Sequence, residues 1–481
     1  MPSFKVRDLD IAVTFRDVVL LPGYTSVEPR EVDLATKVTK RRELSVPIVS
    51  SPMDTVTEAE MAIAMARLGG LGVLHRNCTV DEQVEMARTV KRAESFIIRD
   101  VVTLTPDQTV GDALKIMEAK SISGLPVVDS EGRLVGIITR RDVAFAEDLS
   151  AKVAEVMTKK VITVGEDITV EEAKRIMRKH KIEKLPVVDE KGFLKGLITM
   201  KDLVSRERFP NASRDEQGRL LVAAAISPFD LERAKRLDRW MDILVMDVAH
   251  FHNENCISAA AKLLKEVSAE VIVGNIGTYR AAEDVITKLE GVAGLRVGIA
   301  SGSICITGEV TGVAAPTLFA VMEVARALHD YGADIPIIAD GGIRSSGDAA
   351  KALAAGASAV MCGFLLAGCK EAPGAPVVVG GKMYKYYRGM GSPAARAKRF
   401  AKDRYQQPAK EIAEGVEGLV PYRGEVATVL RELIAGLQAS FGYVGARSIR
   451  ELWEKARFAL ITPIGRQEIG GHDIIPMERT P

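Results

Sequence analysis

The sequence predicts an α/β protein, a closed parallel barrel of the TIM (β/α)8 kind with a smaller paired module inserted into it. Three observations point there. Eight short apolar runs alternate with amphipathic stretches outside the central region, the mark of repeated strand–helix units. The central region is an internal repeat. Residues of chemical interest fall just after the apolar runs, at the strand ends where a barrel keeps its function. An open, doubly wound sheet is the competing architecture.

The runs are Ile48–Ser51, Leu71–Leu74, Leu220–Ala225, Ile243–Met246, Val271–Gly274, Leu295–Ile299, Ile335–Ala339 and Ala359–Cys362. Between them lie amphipathic stretches such as Glu58–Leu68 and Thr317–Leu328. Eight strand-then-helix units in about 350 residues suit a closed barrel made of residues 1–93 and 213–481.

In the interval, Val101–Asp142 aligns without a gap onto Val161–Asp202, with 20 of 42 positions identical. Each copy reads as V-x-T, a helix (Val110–Ala119, Val170–Lys179), the run L-P-V-V-D (Leu125–Asp129, Leu185–Asp189), a turn with Gly, a short strand ending I-T, and T-x-x-D. The apolar run bounded by Asp and Gly predicts a buried strand feeding a turn. A unit of about 50 residues buries too little surface to stand comfortably alone, so the copies are expected to pack as a pair. The repeats resemble tandem CBS domains, here 94–150 and 151–212. That resemblance implies binding of adenine or guanine nucleotides, with Thr139 and Asp142, and Thr199 and Asp202, matching the ribose-contacting T-x-x-D. The plainer alternative is that Asp142 and Asp202 sit as N-caps of the helices that follow.

Composition bounds the function. The 481 residues correspond to about three domain lengths. With 65 basic and 64 acidic side chains the net charge is +1, which gives no electrostatic footprint for nucleic acid. The longest uncharged apolar stretch, Ala352–Gly368, is too short to span a bilayer and is broken by Gly356, Ser358 and Gly363. Five scattered cysteines and an amino terminus without an apolar signal core predict a cytoplasmic protein with free thiols. One of those thiols is a candidate nucleophile.

That candidate is Cys305, in Ala300-Ser301-Gly302-Ser303-Ile304-Cys305-Ile306-Thr307 after a strand run. Small and hydroxyl residues let backbone N–H groups approach an anion, and a thiol on such a loop becomes a nucleophile if its thiolate is stabilised. A buried, inert cysteine is the bland alternative. The next run leads into Asp340-Gly341-Gly342-Ile343-Arg344. There a carboxylate can bind ribose hydroxyls and two glycines can free backbone amides for phosphate. The last run ends at Gly363. Two successive glycine-ended strands fit the phosphate cradle that barrels build after strands seven and eight, which implies a phosphorylated substrate; tight turns alone would also use these glycines.

Ser301–Thr307, Asp340–Arg344 and Tyr387-Arg388-Gly389-Met390-Gly391-Ser392, with Ser51-Pro52-Met53-Asp54-Thr55-Val56-Thr57-Glu58, resemble the inosine 5'-monophosphate (IMP) dehydrogenase family over essentially the whole chain. The resemblance implies NAD-dependent oxidation of IMP to xanthosine monophosphate, in which Cys305 attacks carbon 2 and water hydrolyses the resulting thioimidate. Ser303, Gly342, Gly363 and Tyr387 would hold the phosphate, with Phe364 where a Ser is usual, and Asp340 the ribose. Met390, flanked by Gly389 and Gly391, and Glu414 would meet the base. Asp247 would bind the nicotinamide ribose, with Asn275 and Gly298 in the same cofactor site; for Asp247 a helix cap is the alternative.

A flap over about 391–421, rich in Lys, Arg and Ala, is expected to dock and undock. Within it Arg404 matches the family's water-activating Arg, beside Tyr405, and Thr307 would help position the water. Potassium would be bound by carbonyls of Ala300, Gly302 and Cys305 together with Glu468, Gly470 and Gly471 of a neighbouring chain, in a homotetramer or octamer. The chain departs from the family at Ala300, where Gly is usual and a left-handed backbone costs about 1 kcal/mol, and at Gly308, where Arg or Gln is usual. The nearest rival is guanosine monophosphate (GMP) reductase, which runs on NADPH and lacks the long Arg-Tyr flap. A different class of reading is a nucleotide-sensing CBS protein with an inactive barrel.

Overall fold

The structure is a computed structural model and describes residues 10–93, 97–99, 101–120, 122–144, 148–398, 400 and 412–473. The chain falls into two compact units: one runs to Lys91 and takes in Asn211–Asp215 and Leu220 onward, the other is Arg92–Pro210 with Glu216–Arg219.

The first unit is a closed parallel barrel of eight strands. In chain order they are β1 (Ile48–Ser50), β2 (Leu71–Leu74), β3 (Ala223–Ile226), β4 (Ile243–Met246), β5 (Glu270–Ile276), β6 (Val292–Val297), β7 (Ile337–Asp340) and β8 (Ala359–Cys362). Each pairs with the next, and β8 closes on β1. All eight apolar runs are therefore barrel strands, with ends shifted for physical reasons. The run that began at Leu295 ends at Val297, because Gly298 takes φ +133° and turns out of the extended conformation. The run that began at Ile335 starts its strand after Pro336, which has no N–H to give the ladder.

Alternate residues point inward. Val49, Leu71, Val73, Ala223, Ala225, Ile243, Val245, Ile272, Ile338, Ala359 and Met361 form one core, joined by Val38 and Leu44. The last two belong to a hairpin, Thr36–Lys37 against Glu43–Leu44. Its turn is fixed to the start of β5, where the Thr39 hydroxyl donates to the Glu270 carboxylate at 2.6 Å. The hairpin thus covers the amino end of the barrel and leaves the carboxyl ends as the open face.

Helices α1 (Ala59–Arg67), α2 (Val80–Arg92), α3 (Leu231–Asp238), α4 (Glu254–Leu263), α5 (Tyr279–Lys288), α6 (Thr317–Asp330), α7 (Ser346–Ala354) and α8 (Val426–Val444) each follow the strand of the same number. Their starts are legible: Asp230, Asn253, Thr278 and Ser345 cap α3, α4, α5 and α7 with side-chain oxygens. An antiparallel sheet of Val377–Val379, Lys382–Arg388 and Glu417–Pro421 lies between β8 and α8 in the chain. The stretch expected as one flap over 391–421 is thus partly regular, with a helix at Pro393–Ala397 and a strand at Glu417–Pro421. The strand forms because Glu417–Pro421 registers against the tyrosine-rich Tyr384–Arg388.

The second unit shows the repeat as two α/β copies. In each, a hairpin (Gly124–Val128 with Leu134–Thr139, Lys184–Val188 with Leu194–Thr199) carries the same bulge. Each helix, Val110–Ala119 or Val170–His180, opens with a capping box, Thr109 with Asp112 and Thr169 with Glu172. Each copy has its own core, around Met117 and Leu125 in one and Met177 and Leu185 in the other. Among the described residues no helix is long and apolar enough to cross a membrane.

Candidate active site

A cavity of about 140 Å³ opens at the carboxyl ends of the barrel strands. Its wall is built from the loop after β1 (Ser51, Met53), Asn275 on β5, Arg296 on β6, the loop 298–305 with Thr307, residues 340–344 after β7, Met361, Gly363 and Phe364 at β8, and Tyr387, Gly389–Gly391, Glu414 and Gly415.

The cysteine loop is held in place from both sides. Gly298 lies so close to β7 that a Cβ would stand 2.3 Å from the Asp340 carbonyl, and its φ of +133° suits only glycine. Ala300 takes φ +59°, so the left-handed residue that the sequence placed at a cost is present. Ile299 exchanges backbone bonds of 3.1 Å with Ala315. On the other flank the Ile306 N–H donates to the Glu414 carbonyl at 3.1 Å, Val416 N–H to Ile304 O at 3.0 Å, and Gly389 N–H to Val416 O at 2.9 Å. Residues 414–416 therefore clamp the cysteine loop to the Gly389 turn.

This clamp lines up a short polar chain. Cys305 is half-buried, with Sγ 3.3 Å from Thr307 Oγ1, and the Thr307 hydroxyl donates to Glu414 Oε2 at 3.0 Å. Glu414 is 3% exposed. A thiol proton could pass through the hydroxyl to this carboxylate. The other cysteines are buried; burial pushes Cys362 and Cys369 up to about 12 and Cys78 up to about 11, which keeps them protonated thiols.

Packed against the cysteine loop, Asp340 ends β7. Its Oδ2 accepts from Asn275 Nδ2 at 2.8 Å and from Arg296 Nε at 2.9 Å. Gly341 and Gly342 follow on the cavity wall with φ +93° and +75°, a pair of left-handed residues that turns the chain sharply. Gly363 allows close approach, since a Cβ there would stand 2.9 Å from the Tyr387 hydroxyl. Burial pushes Tyr387 up to about 12, so it stays a phenol, and it shares a hydrogen bond with Ser303. Met390 is buried beside it, while Phe364 carries the Arg423 guanidinium 5.4 Å from its ring centre.

The cavity therefore gathers Gly298, Ala300, Gly302, Ser303, Cys305, Thr307, Asp340, Gly342, Gly363, Phe364, Tyr387, Gly389, Met390, Gly391, Glu414 and Asn275. Other expected residues lie elsewhere. Asp247 is off the wall, its side chain 2% exposed: Oδ1 accepts from Arg296 Nη1 at 2.6 Å, and Arg76 Nε stands 3.8 Å from Oδ2. Two buried guanidiniums thus face its carboxylate, and the helix that follows is capped by Asn253 instead. Glu468 ends the helix Pro463–Glu468, and Gly470 and Gly471 follow, all exposed and off the wall. Arg404 and Tyr405 lie outside the described residues. In the second unit the cap reading needs correction: Asp142 is the third residue of the helix Arg140–Ala144, and its Oδ2 accepts from the Thr139 N–H and hydroxyl, each at 2.7 Å. Thr139 stands at the N-cap because the helix starts directly after the strand. Thr199 likewise ends its strand, and Asp202 falls in the helix Met200–Arg208.

Arg296 is the main site residue that motifs do not reveal. It is 3% exposed in an otherwise apolar strand and bridges Asp247 and Asp340. Burial alone would lower its pKa, but the two carboxylates outweigh that and hold it above the ordinary arginine value. An arginine inside an apolar strand run is the one sequence signal that could have found it.

Against known proteins, residues 12–472 match the model of the IMP dehydrogenase / GMP reductase domain. The chain is 61% identical to an inosine-5'-monophosphate dehydrogenase of Korarchaeum cryptofilum over 99% of both proteins. It is 51% identical to another from Methanocaldococcus jannaschii, over 99% of this chain and 98% of that one. Among solved structures, a GMP reductase from Trypanosoma brucei in complex with guanosine 5'-monophosphate superposes with a TM-score of 0.90 at 39% identity, over 98% of this chain and 99% of that one.

Proposed function

The chain belongs to the IMP dehydrogenase / GMP reductase family, and on that premise we propose that it oxidises IMP to xanthosine monophosphate with NAD through a covalent intermediate on Cys305. It is an enzyme of the IMP dehydrogenase type, which places it in guanine nucleotide biosynthesis. The observation that carries the mechanism is the chain Cys305–Thr307–Glu414 in a cavity that also holds Asp340, Gly342, Gly363 and Tyr387.

IMP would lie with its phosphate among the Gly342 and Gly363 backbone amides, Ser303 and the Tyr387 phenol, its ribose on Asp340 and its base against Met390 and Glu414. The Cys305 thiol gives its proton to the Thr307–Glu414 pair as sulfur bonds to carbon 2. When bound, NAD supplies the acceptor for the hydride that leaves carbon 2. Asn275 and Gly298, on the cavity wall beside Cys305, would hold it, while Asp247 could serve only by sharing its carboxylate with Arg296. Water then attacks carbon 2, gives up a proton, and the carbon–sulfur bond breaks to return the thiol. Arg404 would activate that water; the Thr307–Glu414 pair returns its proton to the departing sulfur and takes the one the water loses.

Potassium would be held by the Ala300, Gly302 and Cys305 carbonyls with Glu468, Gly470 and Gly471 of a second copy in a homotetramer or octamer. The left-handed Ala300 favours this, since the loop adopts that strained turn without a glycine. The paired module would bind adenine or guanine nucleotides at Thr139, Asp142, Thr199 and Asp202, and the enzyme would work in the cytoplasm.

GMP reductase is the second reading, favoured by the solved structures, but identities of 61% and 51% to IMP dehydrogenases outweigh 39% to a reductase. The deciding assay supplies IMP with NAD and follows NADH absorbance. NADH should form in the wild type and not in Cys305→Ala. No NADH from IMP, with NADPH consumed on GMP, would overturn the reading.

A further inference from the structure

The loop after β1 meets the last two residues of the strand Lys382–Arg388 in sequence. Met53 Sδ stands 3.8 Å from the Tyr387 hydroxyl, and the Thr55 hydroxyl accepts from the Arg388 N–H at 3.3 Å. Between them Asp54 takes the Arg388 guanidinium side-on, Nε donating to Oδ1 at 3.0 Å and Nη2 donating to Oδ2. Asn77, in the loop after β2, donates Nδ2 to the same Oδ2 at 2.8 Å and to the Ala395 carbonyl at 3.2 Å. The side chains of Asp54 and Arg388 are 1% and 14% exposed, and Asn77 is fully buried.

None of the three lines the cavity, yet they fix both flanks of the segment that does. Arg388 anchors the entry to Gly389–Ser392, and Asn77 anchors its exit through Ala395. Between these anchors the Ser392 N–H donates to the Gly389 carbonyl at 2.9 Å, so the run is one tight turn. A bidentate guanidinium–carboxylate pair sets direction as well as distance. Charge attraction alone would need no such fork. Arg388 also spends its charge on Asp54, away from the cavity wall that would meet the phosphate.

We infer that Asp54, Arg388 and Asn77 are positioning residues that latch the Tyr387–Ser392 segment to the barrel mouth and so set the fit of the nucleotide, separately from the cofactor. The inference rests on the IMP reading above, since Tyr387 and Met390 are there given to phosphate and base. A shift of about 1 Å in such groups costs up to about 10²-fold in rate.

The test uses full-length Asp54→Ala, Arg388→Ala and the double variant, with IMP and NAD varied separately. KM for IMP should rise about tenfold or more, by the same positional argument. KM for NAD should stay within about twofold, and the double variant should be no worse than the worse single, because each residue acts through the other. Arg388→Lys keeps the charge but loses the fork, so it should fall between wild type and Arg388→Ala. With Asp54→Asn it carries the same test if an alanine variant does not fold. Folded variants with KM for IMP unchanged, additive effects, or an equal rise for both substrates would overturn the latch. Calorimetric binding of IMP and of GMP to wild type and variants reads the latch without turnover. A wild type that binds nucleotide but makes no NADH from IMP therefore removes the functional reading and leaves the latch to be judged on binding.

Discussion

Replacing Arg296 by methionine tests whether one buried cation holds the catalytic face together. The guanidinium is 3% exposed, and its partners Asp247 and Asp340 are 2% and 16% exposed. It bonds Asp247 at 2.6 Å and Asp340 at 2.9 Å, and so ties the end of β7 to the residue after β4 across the barrel. Methionine replaces much of the aliphatic stem but leaves two carboxylates, with Arg76 Nε still 3.8 Å from Asp247 and Asn275 still donating to Asp340. Breaking a buried pair from one side costs about 3–5 kcal/mol. Asp340 keeps some solvent and Asp247 keeps Arg76, so the lower end applies, about 3 kcal/mol, or about 10²-fold in the unfolding constant. Urea denaturation followed by circular dichroism reads this as a midpoint lowered by up to about 1 M, for a slope of about 3 kcal/mol/M. The variant Arg296→Met with Asp247→Asn and Asp340→Asn should recover more than half of the loss, because no orphaned charge is left. A midpoint unchanged from wild type, or a triple variant no more stable than the single, would refute the reasoning.

Cysteine reactivity should be uneven. Iodoacetamide near neutral pH should label Cys305 first and lose that label in the presence of IMP, as peptide mapping by mass spectrometry would show. Comparable early labelling of Cys362 or Cys369, pushed up to about 12, would contradict the burial argument. The latch carries a pH signature. Burial raises Asp54, but hydrogen bonds from Arg388 and Asn77 and the nearby Arg388 and His75 charges outweigh it and hold the carboxyl below its ordinary value. A depressed carboxyl contributes stability that is complete above the unfolded value of about 3.9 and is lost as pH falls through the folded one. Thermal melts should show a constant gap between wild type and Asp54→Asn near neutrality that closes below about pH 4; a gap that widens in acid is the contrary result. Arg404→Ala should still release a burst of NADH on rapid mixing as the covalent intermediate accumulates, and loss of the burst would place Arg404 before hydrolysis. Gly389→Ala should cut turnover about tenfold or more, since its Cβ would stand 2.9 Å from the Ile304 carbonyl and 3.2 Å from Gly415 Cα, within the clamp on the cysteine loop. Wild-type kinetics in that variant would show that the clamp yields without consequence.

Much of the architecture was legible in the sequence because barrel strands are short, buried and apolar, while the helices between them show as amphipathic stretches such as Thr317–Leu328. The repeat was legible because 20 of 42 positions coincide, and its two capping boxes recur at the same offset. Strand ends were less so. Gly298 and Pro336 moved them through backbone geometry and a missing N–H, neither of which an apolar run reports.

For the site, Glu414 came only from the resemblance to the family, while the sequence singled out a cysteine on a small-residue loop and an aspartate before two glycines as candidates. These are local properties, since reactivity and backbone freedom belong to residue types in short contexts. Only the tertiary structure decided which of them meet. It joined Cys305, Thr307 and Glu414 into one chain of contacts, committed Asp247 to Arg296 instead of an open wall, and paired Asp54 with Arg388 across 334 residues. The physical reason is that burial and pairing depend on what the folded barrel brings close, and charge in a buried place is fixed by its partners, which no local pattern encodes.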